Sequence, residues 1–286
     1  MWELLLDCLL DSLKDCAMML PILFLAYLLM EFLEQRAGEK INKTVAKVGA
    51  AGPLLGGLLG AVPQCGFSGA IAGFYAAGIV TLGTLLSVFL STSDEMLPIL
   101  ISSRIAPGEI VKILLFKVIG GILAGFLIDF ILRVIKRQRV TGRDHIHDFC
   151  EQENCECEEN IWISALKHTA KVIVLIFAVT LVINFVFEKW GADFFRGIIT
   201  DVPVLGEAIM SLIGLIPNCS ASVLITELYV EGVVSAGQLI AGLMANAGVG
   251  LLVLFRLNKK LKENLMIVVL LYFCAVILGV LTSLIW

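Results

Sequence analysis

The chain has 286 residues, of which 59% are hydrophobic and 16% charged, and its formal net charge is −4. Soluble domains usually contain about 45–50% apolar and about 25% charged residues, so this composition excludes an ordinary soluble protein. Several uncharged stretches reach the ~20 residues that a helix needs to cross a hydrocarbon core. The apolar runs also lack the two-residue alternation of an outer-membrane barrel. We therefore expect an all-α integral membrane protein.

About ten apolar segments follow one another, five on each side of a polar loop. In chain order they cover 6–33, 48–62, 66–78, 82–103 and 109–136, then 161–187, 208–216, 220–231, 238–255 and 261–286. Segment 66–78 spans only ~20 Å at a rise of ~1.5 Å per residue, which is too short for ~30 Å of hydrocarbon. We interpret 48–78 and 208–231 as re-entrant hairpins, each with a proline motif at its tip.

The second half of the chain repeats the first. Residues 60–68 (GAVPQCGFS) align with residues 214–222 (GLIPNCSAS), and the offset of 217 − 63 = 154 continues through Tyr75/Tyr229 and Gly78/Gly232. Because each half has about five segments, the second half should lie inverted in the membrane, as in many secondary transporters. The sequence thus predicts a first repeat at 1–138, a linker at 139–160 and an inverted repeat at 161–286.

Basic residues cluster in three segments, 36–47, 133–143 and 256–262. The excess of Lys and Arg in cytoplasmic loops predicts that all three segments, and the linker with them, lie in the cytoplasm. With an even number of segments, both termini are then outside. We expect a multi-pass protein of the cell (inner) membrane.

The two proline motifs supply the candidate substrate site. Pro63 and Pro217 each end a half-helix because they lack an N–H group. The residues that follow offer amides, thiols and hydroxyls where the next half-helix begins: Gln64, Cys65, Gly66 and Ser68 in the first half, and Asn218, Cys219, Ser220 and Ser222 in the second. Helix N-termini favour an anion or a polar oxygen, whereas a Cys65–Cys219 pair suits a soft metal. The alternative is that the polar residues cap half-helices and the cysteines pack.

A second polar break interrupts segment 82–103. Thr92 and Ser93 precede Asp94 there, and Asn246 lies at the corresponding place in the other half. An ionisable residue at membrane depth is a candidate for ion coupling, so Asp94 and Glu227 are predicted coupling groups. The alternative places residues 91–95 in a surface loop. Lys117 and Asp129 are expected near segment ends.

The linker is rich in metal-ligand side chains. His145, His147, Cys150, Cys155 and Cys157 lie among carboxylates within thirteen residues. This composition suits a soft metal but matches no zinc-finger spacing, and a flexible polar linker is the alternative interpretation.

The twin motifs Pro63-Gln64-Cys65-Gly66 and Pro217-Asn218-Cys219-Ser220, with the His/Cys-rich linker, resemble the ten-span heavy-metal exporter family. That family is related to the arsenical efflux permeases and is sometimes labelled as manganese transporters. The arsenical permeases carry a denser cysteine pair at this motif, whereas Gly66 and Ser220 follow the cysteines here.

The favoured hypothesis is a non-enzymatic secondary transporter that exports a heavy-metal ion or metalloid through a midplane site between the hairpin tips. A transporter of an organic or oxyanionic solute and a metal-sensing membrane scaffold are the alternatives. The expected partners are the lipid bilayer and a small inorganic solute. No nucleic acid and no cofactor is expected, a metal ion would be substrate, and homo-oligomerisation is left open.

Overall fold

The computed structural model describes residues 51–62, 66–93, 96–136, 161–196 and 204–286, with scattered helical positions between 9 and 28. Within these ranges every regular element is a helix, which agrees with the expected all-α class. The helices are α1 (Ala51–Gly60), α2 (Gly66–Ala76), α3 (Leu82–Ser91), α4 (Met96–Ser102), α5 (Pro107–Lys136), α6 (Ile161–Arg196), α7 (Leu205–Gly214), α8 (Cys219–Val230), α9 (Ala236–Ala245), α10 (Gly250–Leu257) and α11 (Leu261–Ile285).

The helix bounds recur along the chain with the predicted spacing. Helices α1 to α5 correspond in order to α7 to α11. Helices α3, α4 and α5 begin at residues 82, 96 and 107, and α9, α10 and α11 begin 154 residues later, at 236, 250 and 261. The local signals recur as well. Thr81 and Ser235 accept a hydrogen bond at the N-termini of α3 and α9, because a hydroxyl satisfies an N–H group that has no partner within the helix.

Two stretches with a break near their middle form the interior. The broken pairs α3–α4 and α9–α10 lie within the apolar stretches Leu82–Ser102 and Ala236–Leu257, which are 75% and 89% buried. Pro107–Val134 and Leu261–Ile285 are only 33% and 28% buried. Many of their exposed residues are large and apolar, for example Leu123, so these two long helices have the surface that lipid requires.

Within each half, glycines bring the helices into close contact. A Cβ atom at Gly60 would lie 2.3 Å from the hydroxyl of Ser91, and one at Gly214 would lie 2.0 Å from the carbonyl oxygen of Gly242. Small residues at helix interfaces allow such approach in membranes, where tight packing drives association. The broken helices are thereby clamped to α1 and α7.

The two long outer helices run antiparallel to each other. Lys112 near the start of α5 lies 5.6 Å from the ring of Trp286 at the end of α11. Farther along α5, Gly120 lies beside Leu278, which is two turns earlier in α11. The first turns of α5 and α11 are therefore at opposite ends of the molecule, roughly 40 Å apart at ~1.5 Å per residue.

The halves exchange contacts reciprocally. Helix α2 of the first half packs against α10 of the second, and α8 of the second packs against α4 of the first. The Tyr75 hydroxyl donates a hydrogen bond to Glu263, and the Tyr229 hydroxyl donates one of 3.2 Å to Glu109. Each tyrosine thus ties the end of a short helix to the first turn of the other half's outer helix.

We call these two contacts the Tyr75–Glu263 latch and the Tyr229–Glu109 latch.

Candidate functional site

The two helix breaks lie in the interior of the protein. Helix α3 ends at Ser91 with Thr92 as its C-cap, and α9 ends at Ala245 with Asn246 as its C-cap. Thr92, Ser93 and Asn246 are 4%, 1% and 2% exposed. The alternative of a surface loop is therefore wrong for residues 91–93, and Asp94 lies outside the described residues.

Residues on either side of the first proline motif adjoin these breaks. The Ser93 hydroxyl donates a 2.9 Å hydrogen bond to the carbonyl of Ala61, two residues before Pro63. On the other side of the motif, a Cβ atom at Gly250 would lie 2.8 Å from the carbonyl oxygen of Ser68. The start of α2 therefore lies against the start of α10, the helix that follows the second break.

A buried lysine joins the two breaks. Lys117, in the second quarter of α5, is 0% exposed. Its ammonium donates to the carbonyl of Thr92 and, at 3.4 Å, to the carbonyl of Leu243 in the last turn of α9. The expectation that Lys117 lies near a segment end was wrong, because it is the eleventh of the 30 residues of α5 and is fully buried. Its two acceptors lie at the ends of two other helices. Asp129 does lie in the last third of α5, where it accepts hydrogen bonds from Thr81 and from the N–H of Gly83.

The second proline motif belongs to a polar cluster that includes α6. The Asn218 amide donates a 2.6 Å hydrogen bond to Oδ1 of Asn184, and the Ser220 hydroxyl donates to the same oxygen. The Asn184 amide donates in turn to Ser12, at 3.2 Å. Asn218 occupies the N-cap position of α8, as the capping alternative predicts. Its side chain makes no capping bond, however, and donates to Asn184 instead.

Several buried polar atoms near these features have no hydrogen-bond partner. They include Oδ1 of Asn218 and Nδ2 of Asn246. Oγ1 of Thr180 belongs to the same group, and Thr180 lies one turn before Asn184, so both are on one face of α6. Unsatisfied buried polar atoms cost free energy, and in a membrane interior they point to a ligand or to bound water.

The remaining predicted site residues occupy different settings. Gly66 and Cys219 are buried at the starts of α2 and α8, and Pro217 is partly buried. The Ser222 hydroxyl donates to the carbonyl of Cys219 within its own helix, and its role in substrate binding stays a prediction. Glu227 is exposed on α8, so its predicted coupling role gains no buried environment from the structure.

Of the predicted metal ligands, only Cys219 lies within the described residues. Among the described residues, no group of three or more His, Cys, Asp or Glu side chains is close enough to hold a metal ion. Pro63, Gln64 and Cys65 lie outside the described residues, as do the five linker ligands His145, His147, Cys150, Cys155 and Cys157. The pairing of Cys65 with Cys219 therefore stays a prediction.

The apolar outer helices and the buried, broken inner helices define a helical multi-pass membrane protein. Residues 2–196 match the family described as "Putative, 10TM heavy-metal exporter", and this match covers more than half of the chain. The chain belongs to this family, as its motifs suggested. No curated protein and no solved structure matches it.

Proposed function

We propose that the protein is a secondary transporter that exports a heavy-metal ion or a metalloid species through a site between two inverted halves. The observation that carries the proposal is the meeting of the two helix breaks inside the protein, joined by Lys117. Short or interrupted segments at matching positions in two halves are typical of transport sites near the membrane midplane. Membership of an exporter family supports the same function.

The antiparallel arrangement of α5 and α11 supports the inverted repeat. These helices are counterparts at the offset of 154, and both are long and apolar enough to span the membrane. Equivalent helices that cross in opposite directions belong to repeats related by an axis in the membrane plane. The reciprocal packing of α2 on α10 and of α8 on α4 has the two-fold character that such an axis requires.

The distribution of charge supports the predicted orientation. Because the outer helices are antiparallel, Arg133 near the end of α5 lies at the same end of the molecule as Lys260 before α11. Both side chains are exposed. Positive residues favour the cytoplasmic side, so the Tyr75–Glu263 latch is assigned to the cytoplasmic face and the Tyr229–Glu109 latch to the external face.

The chemistry of the interior suits a hydrated or hydroxylated metal species. Asn218 offers an unpaired oxygen, Asn246 an unpaired N–H and Thr180 an unpaired hydroxyl. A ligand that carries both hydrogen-bond donors and acceptors can satisfy all three. The buried Cys219 adds a soft sulfur, which binds heavy metals and metalloids as thiolate.

A small oxyanionic solute is the second candidate. The unpaired N–H of Asn246 favours it, because an amide N–H is a hydrogen-bond donor. In this case the cysteines would contribute packing alone.

The two candidates are separated by flux measurements in proteoliposomes with a panel of heavy-metal ions, metalloids and oxyanions. If the metal proposal is right, at least one metal or metalloid is transported. The flux of the double variant Cys65→Ser/Cys219→Ser is then at least tenfold lower than that of the wild type. The variant Cys274→Ser, on the outer helix α11, is the control and should keep it. Oxyanion flux that survives the double substitution would establish the second candidate, and no flux of any species would refute both.

A further inference from the structure

The carbonyl ends of two half-helices meet at one point in the interior, and a lysine side chain occupies that point. Thr92 caps the C-terminus of α3, and Leu243 belongs to the last turn of α9. Carbonyl oxygens in the last turn of a helix have no partner within it. Both of these oxygens accept a hydrogen bond from Lys117 instead.

Two helix C-termini face the Lys117 ammonium. Each carries the equivalent of roughly half a negative charge, so together they supply about one negative charge beside the ammonium. A lysine held away from water is costly unless it is well paired. The geometry therefore indicates an electronegative site for one monovalent cation.

The cation comes from one half only. The counterpart of Lys117 at the offset of 154 is Leu271 on α11, which is also fully buried but apolar. The fold itself thus requires no charge at this helix position, and the lysine is a departure from the two-fold symmetry.

We propose that the Lys117 ammonium is a resident cation: it fills a monovalent-cation site between the C-termini of α3 and α9 and holds the two breaks together. Unwound carbonyls and half-helix C-termini hold mobile coupling ions in many secondary transporters. Here a tethered ammonium takes the place of such an ion. Replacing the lysine by a shorter side chain should convert this point into a vacant site that takes a free monovalent cation. This role of Lys117 does not depend on which substrate the protein transports, because it concerns the binding of a cation at the helix ends and the stability of the fold.

The test measures the melting temperature of the purified full chain in detergent as a function of added cation. In Lys117→Ala the removed atoms correspond to n-propylammonium, so we use that cation and Na⁺ as probes, with n-propanol and choline chloride as neutral and ionic controls. The variant should melt below the wild type. Saturating n-propylammonium or Na⁺ should then raise its melting temperature by roughly 5 °C.

Three comparisons make the result decisive. Neither the wild type, whose site is filled, nor Leu271→Ala, which leaves a cavity of similar size at the symmetry-related position, should respond to the probes. Lys117→Met keeps the volume without the charge, so it should melt below both the wild type and Lys117→Arg.

The proposal is overturned if Lys117→Met is as stable as the wild type or more stable, because the ammonium is then merely tolerated. It is equally overturned if Lys117→Ala responds to n-propanol as well as to n-propylammonium, or to no cation. If Lys117→Ala does not fold, the order of stability of the Met and Arg variants decides.

Discussion

Removing one phenolic hydroxyl should bias the protein toward opening at one membrane face. The Tyr75–Glu263 and Tyr229–Glu109 latches join the two halves at opposite ends of the molecule. Both latches are made in this structure, so both ends are tied. In an alternating-access cycle, export requires that each end open in turn. We therefore expect Tyr75→Phe to favour opening at the cytoplasmic face and Tyr229→Phe to favour opening at the external face.

The size of this bias follows from the kind of bond. A hydrogen bond to a charged group contributes about 1.5–3 kcal/mol, and these residues are partly exposed, so the lower end of that range applies. A loss of about 1.4 kcal/mol changes an equilibrium tenfold. Each Phe variant should therefore raise the population open at its own face by roughly tenfold.

Cys219 provides the reporter because its thiol is buried at the start of α8. With the other cysteines replaced by Ser, a membrane-impermeant maleimide is added to right-side-out or to inside-out vesicles. Tyr75→Phe should raise the rate of labelling from the cytoplasmic side roughly tenfold, and Tyr229→Phe should raise it from the external side. Tyr272→Phe, in which the altered ring packs beside Phe273, should change neither rate.

The double variant Tyr75→Phe/Tyr229→Phe gives the sharper comparison. Loss of both latches should raise both rates, so the ratio of the two sides returns close to the wild-type value. The reasoning fails if both single variants raise labelling from the same side. It also fails if they lower the melting temperature without changing either rate.

Three further perturbations test the packing and polar contacts around the site. Gly214→Ala should lower the melting temperature by several degrees. A Cβ 2.0 Å from the Gly242 oxygen forces α7 away from α9, at a cost of about 1–3 kcal/mol. Gly108→Ala, whose added Cβ has no atom within 4 Å, should leave the melting temperature unchanged. Asp129→Asn removes a charged acceptor from the N-terminus of α3 and should cost about 1–2 kcal/mol in denaturant unfolding. Asn184→Ala frees the Asn218 amide and should lower flux at least tenfold while Asn184→Gln restores part of it; unchanged flux in the Ala variant would exclude α6 from the site.

The helices could largely be predicted from the sequence because their signals are local. The apolar stretches, the breaks at Thr92 and Asn246, and the hydroxyls of Thr81 and Ser235 mark most of the helix ends within a few residues. The repeat was detectable because Pro, Cys and Tyr are rare in this chain, with counts of 7, 8 and 4. A shared offset among rare residues is difficult to obtain from composition alone.

The candidate site was harder to predict because its contacts join distant parts of the chain. The acceptors of Lys117 lie 25 and 126 residues away, and Asn184 contacts Ser12 across 172 residues. The hydrophobic periodicity of the sequence does not indicate such partners. From the sequence alone, a lysine in an apolar segment is predicted to lie near the membrane surface. Only the structure places the carbonyl ends of two other helices beside its ammonium.

Under the proposed function, the positions at which the two halves differ indicate where the chemistry of transport lies. The glycine contacts, the helix caps and the latches occur in both halves, as the proposed opening toward either face would require. Lys117 and Asn184 correspond to Leu271 and Met30 at the offset of 154, so each supplies a polar group from one half alone. A strictly two-fold interior would treat the two membrane faces alike. Directional export needs a difference between the inward and outward states, and one-sided polar groups such as these are able to provide it.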